Sequence, residues 1–512
     1  MKVPLTLDDF LDRAVTVYPD RVAVVDEPDQ PARSWGEVTF RDLRARADAQ
    51  AAALDRLGVG PGERVAMVSH NAARLMASFW GVAGSGRIFV PVNFRLAAAE
   101  VEYIIEHSGA SVVLIDPELD EALSSVDAKH RFVLGTDCDA ELFTSAAGVR
   151  PQRWEPDEDA IAMINYTSGT TARPKGVAMT HRTVWLNATM FGWQTGVSDR
   201  DVYLHTLPMF HCNGWGMPFA TCGMGVEQVV LRKVDGAEIL RRVDERGVTL
   251  MCGAPAVVAM ILEAAASWDG DVPGRGTTRI VVAGAPPPTR TIERVETELG
   301  WEFIQIYGLT ETAPLLTMNR GRAEWDDLTP ADRAQRLGRA GAPAIGVQLD
   351  VDVDGEVLAR SNHVLDHYWE QPEATDDAIV DGWFRTGDGG SITDGYLTIS
   401  DRKKDVIITG GENVSSIEVE DALFSHPAVA EVAVIGIPDD QWGELLLGLV
   451  VLTPGSEVSE DELRDHCRTK LAGFKVPKRI ELRDELARTA TGKLQKFKLR
   501  APYWEGRDRQ VN

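Results

Sequence analysis

Short apolar runs alternate with longer amphipathic segments between residues 63 and 310. The first run is RVAMVS, and the helix-like segment NAARLMASFWGVAGS separates it from the second run, RIFVPV. Runs of this length are typical of buried strands, and their alternation with helical segments indicates parallel α/β layers. Several later runs, such as VTLMCGAP and EFIQIYG, end in Gly or Pro. Because ligands of such sheets bind at the carboxyl ends of strands, we expect a cleft at these turns.

The pattern changes after Gly346 to short alternating strands with turn residues, VQLDVDVDGEVLAR and SITDGYLTIS. These segments predict an antiparallel or barrel-like β subdomain. Beyond Asp401, helix-like segments mix with strand-like runs such as LLLGLVVL, which indicates a small α+β module. We therefore predict an α/β protein of two domains. The large N-terminal domain, residues 1–402, has stacked α/β layers and the barrel-like β subdomain, and residues 403–512 form a small α+β C-terminal domain.

Size and charge narrow the class of protein. The chain has 512 residues, too many for one core, and 78 acidic against 53 basic side chains give it a formal charge of −25. Such a charge repels phosphate backbones and anionic lipid, so we expect no nucleic-acid partner. The longest apolar runs, such as Leu445–Leu452, fall far short of the ~20 residues that a membrane span needs, so we expect no integral membrane segment.

The cysteines point to a reducing compartment. All five are scattered along the chain and lack the CxxC or Cys/His spacing of a zinc site. The N-terminal segment MKVPLTLDDFLDRAV carries acidic residues where a signal peptide would have its apolar region. We therefore expect a cytoplasmic protein. The sequence leaves the oligomeric state open, a homodimer included.

The segment YTSGTTARPKG, residues 166–176, combines small hydroxyl residues, two glycines and one lysine. Hydroxyl and backbone N–H groups can face phosphate oxygens without side-chain bulk, and Lys175 adds a mobile positive charge. A nucleotide-binding loop is therefore predicted, although a plain surface turn has a similar composition. It is not a Walker loop, because Gly176 follows the lysine and no Ser or Thr is there to bind magnesium.

Five further segments accompany this loop, and together the six resemble the adenylate-forming superfamily in their order and separation. That superfamily includes acyl-CoA synthetases, firefly luciferase and the adenylation domains of peptide synthetases. The resemblance covers nearly the whole chain. Each segment alone has an ordinary structural explanation, but six in sequence order are specific. The five are AGAP (283–286), QIYGLTE (305–311), WFRTGD (383–388), DRKKD (401–405) and TATGKLQK (489–496).

The resemblance implies a complete nucleotide site. Tyr307 would stack on adenine, with small residues walling the other side of the base. Asp388 would accept hydrogen bonds from both ribose hydroxyls, and Arg402 would reinforce the ribose or phosphate contacts. The positions that the resemblance assigns to ATP or AMP are Thr167, Ser168, Gly169, Thr170, Thr171, Lys175, Gly284, Ala285, Pro286, Gln305, Tyr307, Gly308, Leu309, Asp388 and Arg402.

The resemblance also implies catalytic roles. Glu311 would hold Mg²⁺ against the phosphates, Thr310 would contact the α-phosphate, and Lys493 would be the catalytic lysine. A substrate carboxylate with a pKa near ~4 is already ionised at pH 7, so no general base is needed. It must attack a phosphate within a polyanion. At ~4 Å and an effective dielectric of ~20, each added cation contributes about 4 kcal/mol, or roughly a thousandfold in rate.

A second half-reaction follows from the resemblance, in which a thiol attacks the acyl-adenylate to give a thioester and AMP. The mobile C-terminal domain would swing about Lys404 and bring a glycine-rich loop to the thiol tunnel. That loop could equally be a simple turn. His211 matches a position that gates the acyl and pantetheine tunnels. The CoA-tunnel residues are Gly410, Gly411, Glu412 and Asn413, and the acyl-pocket residues are Asn213, Trp215, Met217, Cys252 and Ala254.

Two residues depart from the superfamily pattern, and several readings stay open. Ala172 stands where the loop commonly has glycine, and Ala487 stands where proline is frequent before the catalytic lysine. The leading hypothesis is an AMP-forming acyl-CoA synthetase with ATP, Mg²⁺ and CoA, acting on a medium- or long-chain fatty acid or an aryl acid. One alternative passes the adenylate to a carrier-protein thiol, an amine or another nucleophile. The other is a non-catalytic nucleotide-binding protein, which the presence of Glu311 and Lys493 disfavours.

Overall fold

The structure is a computed structural model of the chain, and it describes residues 1–136, 138–144, 150–167, 173–402, 405–410, 412–439, 442–488 and 494–505. A large unit and a small unit follow one another along the sequence. Among the described residues, no helix combines the length and the apolar surface that crossing a bilayer would take.

The large unit contains the first 21 strands and the first 12 helices. Its strands are β1 Val22–Val25, β2 Glu37–Thr39, β3 Arg64–Val68, β4 Ile88–Val92, β5 Val112–Ile115, β6 His130–Val133, β7 Ile161–Thr167, β8 Lys175–Thr180, β9 Val202–His205, β10 Glu227–Val230, β11 Leu250–Gly253, β12 Arg279–Val282, β13 Glu302–Gly308, β14 Leu315–Asn319, β15 Ala342–Pro343, β16 Gln348–Val351, β17 Glu356–Arg360, β18 His367–Tyr368, β19 Ile379–Val380, β20 Trp383–Thr393 and β21 Tyr396–Arg402. Its helices are α1 Asp8–Val17, α2 Phe40–Arg56, α3 Ala73–Gly81, α4 Ala98–Ser108, α5 Cys138–Leu142, α6 His181–Thr195, α7 Met217–Gly223, α8 Gly236–Arg246, α9 Pro255–Ala265, α10 Thr289–Arg294, α11 Pro330–Leu337 and α12 Pro372–Ala378.

Two large sheets have parallel centres, with antiparallel strands at both edges of the first sheet and at one edge of the second. The nine-stranded sheet has the order β15-β14-β13-β12-β11-β9-β10-β1-β2, and the seven-stranded sheet has the order β18-β8-β7-β4-β3-β5-β6. In the first, β1 and β9 to β13 run parallel, and in the second β3 to β7 do. The predicted parallel layers are therefore confirmed. Strands β8 and β14, each next to the edge strand, pair antiparallel with β7 and β13.

The main core lies where helices α3, α6 and α7 pack with both large sheets. Every residue of α3 is buried, as expected for a helix that is apolar on nearly all sides. The ring of Phe79 lies 5.1 Å from that of Phe219 in α7 and 5.6 Å from that of Phe89 in β4, measured between centroids. This interlocking of rings fixes α7 and the segment before it against the seven-stranded sheet.

A five-stranded antiparallel sheet, β16-β17-β20-β19 with β21 beside β20, forms the predicted β subdomain. The small unit is the predicted α+β module, with an antiparallel β23-β22-β25-β24 sheet and β26 parallel to β25. Its elements are β22 Ile407–Thr409, β23 Glu412–Val414, α13 Ser416–Phe424, β24 Val429–Asp439, β25 Gly443–Leu452, α14 Glu460–Arg468, β26 Arg479–Leu482 and α15 Lys496–Arg500.

Helix α13 joins the small unit to the large one. The Asp421 carboxylate accepts a hydrogen bond from the Thr289 backbone N–H at 3.0 Å, where α10 begins. Arg290 donates to the His426 carbonyl at 3.2 Å, just beyond α13. At the start of α13, the Ser416 N–H donates to Asp401 Oδ2 at 2.9 Å. The small unit is thus held to the large unit at both ends of one helix.

Candidate active site

The predicted phosphate loop connects two antiparallel strands. Strand β7 ends at Thr167, β8 begins at Lys175, and the strand register places these two residues opposite each other. The sequence did not predict this hairpin, because an apolar run does not reveal the direction of the next strand. Thr167 and Lys175, both predicted to bind ATP, lie opposite each other across it. Ser168, Gly169, Thr170 and Thr171 lie outside the described residues.

Tyr307 and Asp388 meet on neighbouring sheets. Tyr307, in β13, donates its hydroxyl hydrogen to Asp388 Oδ2 at 2.8 Å. Arg402 stands opposite Asp388 in the β20–β21 pair, with its Nε 3.6 Å from Asp388 Oδ1. Burial, together with the Asp388 charge, raises the pKa of Tyr307 well above its usual value. The phenol therefore stays protonated and fixes the orientation of the carboxylate.

The turn predicted to wall a planar base follows the strand next to that of Tyr307. Strand β12 runs parallel to β13 with Val282 opposite Gln305, so the turn that follows β12 lies near the end of β13. In this turn, Gly284 has φ of +96°, a conformation that favours glycine. Residues 284–286 are exposed, as a wall of an open slot should be. The buried Gln305 Oε1 has no hydrogen-bond partner among the described residues, and a free acceptor of this kind suits an adenine amino group.

The turn after β13 carries Thr310 and Glu311. It is a short 3-10 helix, Thr310–Thr312, and the extended Leu309 leads into it. A Cβ added at Gly308 would lie 1.5 Å from the Pro314 carbonyl oxygen, so only glycine allows the chain to fold back there. Glu311 Oε1 accepts a hydrogen bond from the Tyr368 hydroxyl at 3.0 Å.

Tyr368 is a site residue that the sequence did not reveal. It lies in β18, which pairs with β8, and the Lys175 Nζ lies 4.7 Å from the centre of its ring. It therefore connects Lys175 to Glu311. None of the six motif segments contains Tyr368, and a single tyrosine in the tripeptide HYW has no spacing that predicts a role.

Magnesium would have one suitable carboxylate here. Among the described residues, no three His, Cys, Asp or Glu side chains converge in a way that could hold a metal ion by themselves. Mg²⁺ commonly takes one or two carboxylates and completes its coordination with phosphate oxygens and water. Glu311 suits that arrangement. It follows Thr310, one of its oxygens accepts the hydrogen bond from Tyr368, and the ring of the same tyrosine contacts Lys175.

The predicted acyl-pocket segment contains a left-handed turn. Cys212, Asn213, Gly214 and Trp215 have φ of 37°, 44°, 55° and 62° in succession within the 3-10 segment His211–Gly216. Three of them carry a Cβ, and each such residue costs roughly 1–2 kcal/mol in this conformation. The Cys212 thiol lies 3.9 Å from the Thr310 carbonyl oxygen, so the turn contacts the phosphate side of the site. No composition signal in CNGW predicts this conformation, apart from its one glycine.

Most of the other acyl-pocket candidates are buried side chains. Trp215, Met217 and Cys252 are all buried, and Met217 belongs to the core cluster around α7. Ala254 precedes α9 in an extended conformation. Burial raises the pKa of the Cys252 thiol to about 12, which agrees with the expectation that this residue is a packing group and not a nucleophile.

Three of the predicted CoA-tunnel residues, Gly410, Glu412 and Asn413, lie where β22 and β23 pair antiparallel. Gly410 has φ of +60°, and its N–H donates to the Trp442 carbonyl at 2.8 Å. A Cβ at this position would lie 2.8 Å from Trp442 Cε3. Glycine is therefore needed for two reasons, the positive φ and the lack of room for a side chain. Glu412 and Asn413 are exposed beside it. Lys404, Gly411 and Lys493 lie outside the described residues.

Lys496, three residues beyond Lys493, is anchored in the small unit. Its Nζ lies 2.8 Å from Glu420 Oε1 and also donates to the Ser416 hydroxyl. Burial lowers the pKa of Lys496, but Glu420 and Asp401 outweigh burial and raise it, so the ammonium keeps its charge. The chain is thus fixed in the small unit three residues after Lys493.

Two family models match the chain. The model described as AMP-binding enzyme matches residues 11–369, and the model described as AMP-binding enzyme C-terminal domain matches residues 418–493. The chain belongs to the AMP-binding enzyme family. Its predicted resemblance to adenylate-forming acyl-CoA synthetases is thereby confirmed, and so is its assignment as an enzyme.

Curated relatives of this AMP-binding enzyme match over nearly their whole length. Probable acyl-activating enzyme 9 of Arabidopsis thaliana is 36% identical, over 97% of this chain and 96% of the relative. 2-methylpropanoate--CoA ligase CCL4 of Humulus lupulus is 36% identical over 97% and 95%. 4-hydroxybutyrate--CoA ligase 2 of Metallosphaera sedula is 36% identical over 96% and 93%.

Solved structures give the same fold for this AMP-binding enzyme. A Mycobacterium tuberculosis fatty acyl CoA synthetase superposes with a TM-score of 0.73 at 33% identity, covering 97% of this chain and 98% of that one. O-succinylbenzoate Coenzyme A synthetase from Bacillus subtilis, in complex with ATP and magnesium ion, superposes with a TM-score of 0.81 at 28% identity, covering 96% and 99%.

Two tyrosines link the predicted groups of the site in this AMP-binding enzyme. Lys175 lies over the ring of Tyr368, and Tyr368 donates to Glu311. Tyr307, four residues before Glu311 in the chain, donates to Asp388. The residues predicted to bind phosphate, magnesium, base and ribose therefore fall into two contact groups, which residues 307–311 connect along the chain.

Proposed function

We propose that this enzyme activates a carboxylic acid with ATP and Mg²⁺ as an acyl-adenylate and then transfers the acyl group to the thiol of CoA. The observation that carries the proposal is the pair of contact groups at the end of β13, in which Tyr368 joins Lys175 to Glu311 and, four residues before Glu311, Tyr307 donates to Asp388. These groups follow the order of a nucleotide, with phosphates at one end and ribose and base at the other.

Positioning and charge carry the first half-reaction. The ionised acid attacks the α-phosphorus and pyrophosphate leaves, so no proton has to be removed. Mg²⁺, when bound, supplies positive charge on the phosphate oxygens. Lys175 and Lys493 are proposed to supply the remaining positive charge, and Thr310 is proposed to contact the α-phosphate. His211 and the left-handed turn beside Thr310 are proposed to border the acyl group.

The second half-reaction needs a different arrangement of the small unit. We place the domain boundary after Arg402, because β21 ends there in the large unit and β22 begins at Ile407 in the small unit. Rotation about Lys404 would withdraw Lys493 and bring Gly410, Gly411, Glu412 and Asn413 to the thiol. The left-handed Gly410 against Trp442 supports a loop built for close backbone approach.

A medium- or long-chain fatty acid or an aryl acid is the proposed class of substrate. Buried Trp215 and Met217 supply an apolar boundary near the proposed carbonyl position, which suits an apolar acyl group. The relatives named for 2-methylpropanoate and 4-hydroxybutyrate extend the range of acids to test toward short chains.

The deciding experiment is acid-dependent exchange of labelled pyrophosphate into ATP across a panel of acids, followed by chromatography of reactions that contain CoA. Exchange with at least one acid and formation of its acyl-CoA are expected. Adenylate that accumulates without thioester would favour a carrier thiol, an amine or another nucleophile as acceptor. Absence of exchange with every acid would leave the non-catalytic nucleotide-binding alternative.

The catalytic assignment has its own test. Lys493→Ala should nearly abolish acid-dependent pyrophosphate release, yet the variant should still convert supplied acyl-adenylate to thioester, because the lysine is withdrawn in that step. Lys498→Ala, an exposed lysine five residues later, is the matched control. Adenylation at the control rate in Lys493→Ala would contradict the role of the lysine.

A reducing compartment, the cytoplasm, is the proposed location. None of the five cysteines, Cys138, Cys212, Cys222, Cys252 and Cys467, forms a disulfide, and four of them are buried. Buried reduced cysteines in an oxidising compartment would be exposed to mispairing during folding. Imaging of a fluorescent fusion in the native cell tests this location.

A further inference from the structure

Tyr368 lies between two groups that the proposed nucleotide site requires. Its hydroxyl donates to Glu311 Oε1 at 3.0 Å, and the Lys175 Nζ lies 4.7 Å from the centre of its ring. The same side chain thus contacts the proposed magnesium carboxylate through its polar end and the phosphate-loop lysine through its face.

One strand pairing and two backbone hydrogen bonds hold Tyr368 in this place. Strand β18 pairs with β8, with Tyr368 opposite Val177, two residues beyond Lys175. The Tyr368 N–H donates to the Thr375 hydroxyl at 3.0 Å. Three residues earlier, the Leu365 N–H donates to the carbonyl of Glu311 itself at 2.6 Å. With only 6% of its surface exposed, the side chain has little room to turn away.

The chemistry of the phenol suits an orienting role. An ionised carboxylate can only accept hydrogen bonds, so the buried Tyr368 hydroxyl is the donor to Glu311. A donor on Oε1 fixes the plane of the carboxylate and leaves Oε2 for a cation, as is usual for carboxylates that bind metals. The ring face attracts an ammonium group and keeps Lys175 on the side of Glu311.

We propose that Tyr368 is a positioning residue that aims the Glu311 carboxylate at Mg²⁺ and holds Lys175 beside the same phosphates. This inference rests on the proposed function, because it takes the nucleotide roles of Glu311 and Lys175 from it. Tyr368 itself touches neither reacting atom.

Calorimetric titration with ATP, in excess Mg²⁺ and in EDTA, separates the two contacts. The dissociation constant in EDTA divided by that in Mg²⁺ measures how strongly magnesium and ATP support each other's binding. Tyr368→Phe keeps the ring and removes the hydroxyl, so it should lower this ratio by about tenfold while leaving affinity in EDTA within about twofold. Tyr368→Leu also removes the ring and should in addition weaken ATP binding in EDTA.

Tyr503→Phe is the matched control. The Tyr503 hydroxyl donates to Glu481 Oε2 at 2.7 Å in the small unit, so this variant loses the same kind of hydrogen bond away from the nucleotide groups. It should keep the wild-type ratio. In a Glu311→Gln background, Tyr368→Phe should lower the ratio no further, since its effect passes through Glu311.

The outcomes distinguish the inference from the function on which it rests. Normal ATP binding by the wild type, with an unchanged ratio in Tyr368→Phe, overturns the inference alone. A full additional loss in the Glu311→Gln background overturns it too, because the tyrosine would then act by another route. Wild-type protein that binds no ATP in either buffer overturns the proposed function and the inference together.

Discussion

At the scale of single residues, Tyr307 combines two properties in one side chain. Its ring offers a face to a planar base, and its hydroxyl fixes Asp388, which has little solvent contact to orient it. Since the two carboxylate oxygens are already aligned before a nucleotide arrives, less ordering remains to be done on binding. Tyr368 acts in the same way, because its hydroxyl donates to the Glu311 carboxylate.

The hydroxyl and the ring of Tyr307 can be tested separately. Tyr307→Phe keeps the stacking face but removes a hydrogen bond to a charged group, which is worth about 1.5–3 kcal/mol. We expect the KM for ATP to rise by roughly tenfold or more, with a smaller change in kcat. Tyr307→Leu should raise it further, because the stacking face is lost as well. Steady-state kinetics measure both variants, and an unchanged KM in Tyr307→Phe would contradict the orienting role.

A second prediction at this scale concerns Lys496, whose contacts fix the chain three residues after Lys493. Lys496→Met leaves the half-buried Glu420 without its cation, and loss of a hydrogen bond to a charged group costs about 1.5–3 kcal/mol. We expect a loss of stability of this size in the small unit and a fall in pyrophosphate exchange. Urea unfolding followed by tryptophan fluorescence reports the stability. Lys498→Met, an exposed neighbour, should behave like wild type, and equal behaviour of the two variants would refute the anchor.

At the scale of elements, the left-handed turn Cys212–Trp215 is the least regular part of the site. It is held from outside: the Asn187 amide in α6 donates to the Trp215 carbonyl at 3.4 Å and accepts from the Leu315 N–H at 3.1 Å in β14. Strained backbone persists only where its surroundings enforce it. The turn next to the proposed acyl group is thus tied to a helix and to a strand of the nine-stranded sheet.

Two glycines in the left-handed region separate strain from contact. Gly247→Ala, with φ of +63° and nothing within 4 Å of the new Cβ, should cost only the backbone term of about 1–2 kcal/mol and leave activity unchanged. Gly216→Ala, with φ of +79°, places a Cβ 2.6 Å from the Asn187 amide nitrogen. It should cost more and also reduce adenylation. Thermal unfolding and pyrophosphate exchange check both, and equal costs would argue against the tie through Asn187.

The sequence predicted the elements well and their connections less well. The apolar runs of β3, β4, β11 and β12 were each recognisable, because buried parallel strands are continuous apolar segments. The antiparallel β7–β8 hairpin, the left-handed turn and Tyr368 were not. Each depends on distant contacts: β18 comes about 190 residues after β8 in the chain, and no local pattern records which strand pairs with it.

At the scale of the whole molecule, three buried neutral histidines make stability depend on pH. Burial lowers the pKa of His181, His205 and His363 to about 4 from the usual 6.5. Each lies at a junction; His363 Nε2, for example, hydrogen-bonds the Leu315 carbonyl at 2.7 Å. Protonation of any of them would place an uncompensated charge in the core.

The sign of this dependence follows from proton binding. Below pH 6.5 the unfolded chain takes up protons at these histidines and the folded chain does not, so stability falls as the pH falls from 6.5 to 4. Each histidine contributes up to about 1.4 kcal/mol per pH unit in that window. Denaturant unfolding at pH 7.5, 6.0 and 5.0 measures the slope. His363→Asn should make it shallower, and a flat profile would contradict the neutral burial of these groups.

Neighbouring residues of β21 serve both units. Arg402 faces Asp388 at the proposed ribose position, and Asp401, one residue earlier, accepts the Ser416 N–H of the small unit. A nucleotide that draws on Arg402 and a swing that breaks the Asp401 contact therefore act on adjacent residues of one strand. The affinity for AMP and the orientation of the small unit should consequently be thermodynamically linked. A change in the orientation of the small unit should change the affinity for AMP, and bound AMP should change that orientation.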